Sequence, residues 1–163
     1  MAPDGVVMRF PYRTAPGPRG TILYYPFIPV RISGFRGQVT RHFEALVDSG
    51  AADCVLQSSL ASALRLDLKS GVPSVRAGIG GRSDVWMHPV SLIVGAHVLQ
   101  VEAAFSETLP LAGLLGRKGF FEYFRITFDP ASEPPRTRTR TSAQSIDPCH
   151  AYLRALHAAA YTL

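Results

Sequence analysis

The carboxylate of Asp48 is the side chain in this sequence best placed for acid–base chemistry. The apolar residues 45–47 precede it, the small residues Ser49, Gly50 and Ala51 follow it, and a second apolar segment covers residues 54–56. This order predicts a tight, glycine-containing turn between two buried strands. A carboxylate on such a turn can act as a general base towards a water molecule.

Taken alone, the Asp-Ser-Gly turn has a simpler explanation. In an Asx or Ser/Thr turn, the side chain of Asp48 or Ser49 binds the backbone, and Gly50 supplies an unusual dihedral angle. Chemistry is favoured by the order of two later segments, a glycine-rich hairpin tip and an apolar segment that ends in glycine. Their residues are Gly78, Ile79, Gly80 and Gly81, and then Leu114, Leu115 and Gly116.

Each of these segments has a physical role in one mechanism. The hairpin tip can close over an extended peptide, exclude water and donate backbone N–H groups to it. The apolar segment 114–116 can pass beneath the carboxylate turn as a floor. Within the turn, Ser49 can fix the loop by hydrogen bonds, and Gly50 allows a close approach of a partner loop.

A pair of carboxylates would complete this mechanism. Two carboxylates a few ångströms apart share one proton because like charges repel, so one can act as general base and the other as general acid. The sequence contains one turn of this kind, at Asp48. If the chemistry needs two carboxylates, a second chain must supply the other.

Together the three segments resemble the retropepsin-like aspartic proteases, which include retroviral proteases and bacterial relatives. The resemblance rests on three motifs in the family's order and approximate spacing, and it covers roughly residues 22–130. The closing segment 119–129 resembles the bacterial branch in particular. The motifs are Asp48-Ser49-Gly50-Ala51, Gly78-Ile79-Gly80-Gly81 and Leu114-Leu115-Gly116-Arg117.

The resemblance implies an aspartic endopeptidase that hydrolyses extended polypeptide segments. It implies a homodimer in which each subunit contributes one Asp48, without a metal ion or other cofactor. It also implies that Ile79 and Gly80 belong to a flap over the substrate, and that the fold is an all-β, closed retropepsin-like barrel with one short helix.

One position departs from the family pattern. Many retroviral members carry an acidic residue two positions after the motif glycine, where it can pair with the arginine of the third motif. Here that position is Ala52, so Arg117 lacks the usual partner, and Asp53 is the nearest substitute. The departure motivates a second hypothesis, a catalytically weak or inactive module for peptide binding or dimerisation. A third is a monomeric β-barrel with an accidental turn motif.

Composition along the chain predicts three regions. Residues 1–20 are rich in Pro, Gly and Arg and are expected to form a flexible arm, residues 21–130 the protease domain, and residues 131–163 a linker and a short helix. Within the domain, Ser58 or Ser59 is expected to cap a helix that runs to Leu66. The arginines that alternate with threonine near residue 138 indicate a solvated tail.

The remaining composition excludes several classes of function. The net charge is +5, but the sequence lacks the basic face interleaved with aromatic residues that is typical of proteins that bind single-stranded nucleic acids, so nucleic-acid binding is not predicted. No apolar run is long enough to span a membrane, and the amino terminus lacks the layout of a signal peptide. Two distant cysteines and five histidines without ligand spacing predict neither a disulfide framework nor a metal site. These observations predict a soluble, cytoplasmic protein.

Overall fold

The computed structural model describes residues 6–78, 81–131 and 136–141 of the 163-residue chain. Within these residues the chain forms twelve β-strands and one α-helix. They are β1 (Val7–Pro11), β2 (Arg13–Pro16), β3 (Ile22–Tyr25), β4 (Phe27–Ser33), β5 (Phe43–Val47), β6 (Val55–Gln57), α1 (Ser58–Ala63), β7 (Val72–Gly78), β8 (Gly81–Val94), β9 (His97–Ser106), β10 (Gly113–Leu115), β11 (Phe124–Asp129) and β12 (Arg136–Thr141).

Six of these strands close into a barrel. The sheet has the order β4-β5-β10-β6-β9-β8, and β4 also pairs with β8. Period-two alternation places Ile28, Val30 and Ile32 of β4 inside, where they have no exposed surface. The predicted all-β, closed barrel fold is therefore confirmed.

The helix α1 is shorter than predicted and has a different cap. It ends at Ala63 rather than at Leu66, because Arg65 has a φ of 55°, which no helical residue adopts. The cap is Gln57, because its side-chain oxygen accepts a hydrogen bond from the amide of Ser59 at 2.6 Å. The buried Ala61 fastens the helix to the core.

Strand β8 belongs to both the barrel and a projecting hairpin. Its residues 85–94 pair with β9, whereas its first residues pair with β7 from Gly78 opposite Gly81. The hairpin β7–β8 corresponds to the glycine-tipped hairpin predicted from the sequence. The tip residues Ile79 and Gly80 lie outside the described residues.

A second, three-stranded sheet has the order β1-β12-β11. Two of its strands lie where the sequence had suggested an arm and a linker. In β12, Thr137 and Thr139 are buried, so the Arg-Thr alternation is a strand pattern with its threonines inside. The division at residues 20 and 130 stays a prediction.

The predicted carboxy-terminal helix lies outside the described residues. In the segments that the structure does describe, no helix has the length and apolar character needed to cross a membrane.

Candidate active site

The core of the candidate site is formed where three strand ends meet. Strands β5 and β6 follow one another in the sequence, but β10 lies between them, parallel to β5 and antiparallel to β6. The register places Leu115 beside Val47. The loop of residues 48–54 therefore has to pass over the end of β10 to join β5 to β6.

Asp48 begins this loop and is half-buried. Its amide donates a hydrogen bond to the carbonyl oxygen of Leu115 at 3.1 Å, and its carbonyl accepts one from the amide of Ala51 at 3.2 Å. Its Oδ1 atom accepts a hydrogen bond from the amide of Gly50 at 2.8 Å. The carboxylate is therefore held by its own turn in a defined orientation.

Gly50 keeps space open beside this carboxylate. A Cβ atom at this position would stand 3.1 Å from Asp48 Oδ1, which is closer than most Cβ contacts in proteins. Ser49 is exposed at the top of the turn. The two residues thus leave one side of the carboxylate accessible.

The turn rests on the segment that follows β10. The amide of Arg117 donates to the carbonyl of Ala51 at 3.0 Å, and the amide of Lys118 donates to that of Ala52 at 2.9 Å. Gly116 lies so close to Asp53 that a Cβ atom would collide with the Asp53 carbonyl group. Backbone contacts therefore fix the loop from Asp48 to Asp53.

The structure brings together two of the three predicted segments by direct contact. Leu115 is fully buried below the Asp48 turn, and Leu114 is half-buried. The third segment, the hairpin tip, is described at Gly78 and Gly81, both of which are exposed.

An ion pair connects the β7–β8 hairpin to the Asp48 loop. The Nη2 atom of Arg76 on β7 lies 2.9 Å from Oδ2 of Asp53, and the two side chains are 31% and 13% exposed. The suggestion that Asp53 substitutes as the partner of Arg117 is therefore wrong. Arg117 is exposed, and Asp53 faces the hairpin.

Sequence reasoning missed Arg76. The alternation of β7 gave no signal for it, because it would turn Val75 and Ala77 inward, whereas in the structure Ser74 and Arg76 are half-buried and Pro73, Val75 and Ala77 are exposed. An arginine at an inward position of a strand needs a charged or polar partner. The nearest candidate partner comes from the loop after β5, which only the three-dimensional structure identifies.

Cys54 lies directly after Asp53 and is buried. Its Sγ atom contacts the carbonyl oxygen of Lys118 at 3.6 Å. Burial raises the pKa of the thiol to about 11, with smaller contributions from the charges of Asp53 and Glu122 and an opposing hydrogen bond from the backbone of Gly116. The side chain is a protonated core residue and not a nucleophile at neutral pH.

One of the histidines that lack ligand spacing lies in the core. His88 is buried, and its ring packs edge-on against Phe105. A hydrogen bond of 2.9 Å between its Nε2 atom and the carbonyl oxygen of Leu68 compensates for the burial of this polar ring. Across residues 6–78, 81–131 and 136–141, no three His, Cys, Asp or Glu side chains lie close enough together to hold a metal ion.

The sequence around this site matches a known protein family. A sequence profile described as aspartyl protease matches residues 28–118, which include both strands around Asp48, the hairpin and β10. The match covers more than half of the chain. The chain belongs to the aspartyl protease family.

Comparison with solved structures shows a similar fold. A retropepsin-like aspartic protease from Rickettsia conorii is 17% identical and has a TM-score of 0.54, with 81% of this chain and 98% of that chain covered. An EIAV protease in complex with the inhibitor HBY-793 is 21% identical with a TM-score of 0.45, covering 57% of this chain and 82% of that one. No curated protein sequence matches. The fold of this aspartyl protease family member is thus retropepsin-like.

Proposed function

We propose that the chain is an aspartic endopeptidase that acts as a homodimer on extended polypeptide segments. Each subunit supplies one Asp48, and the two carboxylates together form the catalytic pair. The segments around Asp48 have the supporting roles expected from the sequence, with Ser49, Gly50 and Ala51 in the turn, residues 114–116 as the floor and residues 78–81 as the flap.

The observation that carries this proposal is the position of Asp48. It stands on a turn fixed by hydrogen bonds to Leu115 and Gly50, at a point where three strand ends meet. One chain presents one such turn. A carboxylate pair at this site therefore requires a second copy of the chain, and a two-fold axis beside the turn would place the two Asp48 residues together.

In the mechanism, a water molecule lies between the two carboxyl groups. One carboxylate takes a proton from the water, whose oxygen attacks the carbonyl carbon of the scissile peptide bond, while the other carboxylic acid protonates the carbonyl oxygen. The tetrahedral intermediate then breaks its C–N bond as a proton passes to the leaving amine. The flap excludes bulk water during these steps.

The test is cleavage of a diverse peptide library by the wild-type protein and by Asp48→Asn across acidic to neutral pH. The substitution keeps the size and the Oδ1 acceptor of residue 48, so the fold should persist. We expect cleavage by the wild type and none by the variant. Cleavage that persists in the variant would contradict the role of Asp48.

The second candidate function is a peptide-binding or dimerisation module with little catalysis. It is favoured by Ala52, which is exposed and leaves Arg117 without the acidic neighbour typical of retroviral members. Peptide binding without turnover at any pH would support this function in place of the first. A cytoplasmic location and the absence of nucleic-acid partners stay predictions.

A further inference from the structure

The ion pair between Asp53 and Arg76 joins two segments that are separated in sequence and meet at the proposed site. Asp53 lies near the end of the loop that begins at Asp48, and Arg76 lies on the inner face of β7. Their charged atoms are 2.9 Å apart and both side chains are largely removed from solvent. A partly buried pair of this kind is screened much less by salt than a surface pair.

The acidic end of this contact is rigid. The Asp53 carbonyl packs against Gly116, and residue 53 forms an isolated parallel bridge with Lys118. The neighbouring Cys54 is buried and its carbonyl accepts a hydrogen bond from Ala104 at 2.9 Å. The carboxylate of Asp53 is therefore attached to the same fixed backbone as Asp48.

The basic end is oriented by the hairpin itself. Nη1 of Arg76 donates to Ser74 Oγ at 2.7 Å and to the carbonyl of Val75 at 3.1 Å, and Nη2 lies 3.4 Å from Met87 Sδ. These contacts come from both strands of the hairpin. The guanidinium group therefore links both strands of the hairpin to the Asp48 loop.

The outer part of the hairpin, beyond Val85, pairs with no other described strand, so a side-chain contact can help to set its direction. Among the described strands, β7 pairs with β8 alone. On β8, the Ser83 hydroxyl meets Thr108 Oγ1 at 2.5 Å, which connects that strand to the segment after β9 and not to the Asp48 loop. Within the described residues, the ion pair between Arg76 and Asp53 is a direct polar side-chain contact from the hairpin to this loop.

We propose that Asp53 and Arg76 are positioning residues that hold the flap hairpin in the position relative to the Asp48 loop that substrate binding requires. This inference rests on the proposed function for its catalytic consequence. The flap contacts substrate before and during the reaction, so a misplaced flap weakens binding of the ground state and transition state alike. Loss of the pair should therefore raise KM and leave kcat nearly unchanged.

The experiment uses the full chain with Asp53→Asn, Arg76→Met and the double variant. Asp84→Asn is the matched control, because Asp84 is an exposed aspartate on the same hairpin. Asp53→Glu tests whether a longer carboxylate restores the pair. Each protein is measured by hydrogen–deuterium exchange of amides 72–78 and by peptide cleavage kinetics.

We expect exchange in residues 72–78 to become about tenfold faster in Asp53→Asn and in Arg76→Met than in the wild type. The double variant should exchange no faster than either single variant, because each substitution breaks the same contact. KM should rise about tenfold while kcat changes by less than about twofold. Asp53→Glu should recover part of the KM effect, and Asp84→Asn should resemble the wild type.

Unchanged exchange in both single variants would overturn the inference, as would a loss of kcat at constant KM. If Asp53→Asn does not fold, Arg76→Met decides the question, because it retains the apolar part of the arginine side chain. Exchange requires no catalysis. A wild-type protein that cleaves no peptide would therefore count against the proposed function. The exchange rates would still test whether the ion pair between Asp53 and Arg76 holds the hairpin in place.

Discussion

The amide of Asp48 donates a hydrogen bond to the carbonyl oxygen of Leu115 at 3.1 Å, and this contact joins the proposed catalytic turn to the end of β10. Leu115 is fully buried, so the acceptor cannot move without disturbing the core. The next residue, Gly116, packs under the same loop. The position of the carboxylate is therefore set by residues almost seventy positions later in the chain.

Replacement of Gly116 by alanine tests this dependence. The new Cβ atom would overlap the Asp53 carbonyl group and stand 2.9 Å from the carbonyl oxygen of Ala51, so the loop would have to shift. Overpacking of this kind costs about 1–3 kcal/mol of unfolding free energy. We expect the variant to lose stability by this amount in urea unfolding and to lose most of its peptidase activity.

The control for this substitution is Gly34→Ala. A Cβ atom at Gly34 would make ordinary van der Waals contacts, the closest at 3.6 Å to Leu64. We expect this variant to unfold within about 0.5 kcal/mol of the wild type, because the new methyl group fits without a clash and breaks no contact. Equal stability and activity of both variants would show that Gly116 does not support the loop by close packing.

The Cys54 thiol predicts a change in stability at alkaline pH. Burial raises its pKa from an ordinary 9.0 to about 11 in the folded chain. Between these values the unfolded chain has lost the proton and the folded chain has kept it, so the free energy of unfolding falls as pH rises. The largest slope from this group is about 1.4 kcal/mol per pH unit.

The measurement is urea unfolding of the wild type and of Cys54→Ala at several pH values from about 8, one unit below the ordinary pKa of the thiol, to about 11, its raised value. Other groups titrate in this range as well, and the difference between the two proteins isolates the thiol. We expect the difference in unfolding free energy between the wild type and Cys54→Ala to shrink as pH increases. A difference that is constant with pH would contradict a raised pKa at Cys54.

The two described glycines of the hairpin tip should respond differently to alanine. A Cβ atom would meet nothing within 4 Å at either Gly78 or Gly81, but Gly81 has a φ of +106°, which strains any other residue. We expect Gly81→Ala to raise KM several-fold and Gly78→Ala to have a smaller effect. Peptide cleavage kinetics of the two variants provide the comparison, and equal KM values would argue against a conformational requirement at Gly81.

Much of the barrel could be predicted because its strands carry local signals. The apolar segments on either side of Asp48 located β5 and β6, the glycines of residues 78–81 located the hairpin, and the family motifs located Asp48 and the segment beneath it. Strand β12 was missed for a physical reason. Its arginines suggested solvent, although threonines at every second position favour a strand with one buried face.

The contacts within the site could not be predicted in the same way. The partner of Asp53 depends on which strand of the hairpin faces the loop, a relation between residues 23 positions apart that no local pattern encodes. The helix cap moved to Gln57 because its long side chain can reach the Ser59 amide, a geometry that sequence preferences do not favour. Long-range polar pairs are therefore the part that only a structure supplies.

The central claim is that each active site uses two Asp48 residues from two chains. Wild type and Asp48→Asn are mixed in varying proportion at fixed total concentration, allowed to exchange subunits, and assayed for peptide cleavage. If both carboxylates are needed, activity follows the square of the wild-type fraction, so an equal mixture retains about one quarter of full activity. Retention of about one half, in proportion to the wild-type chain, would contradict a shared carboxylate pair.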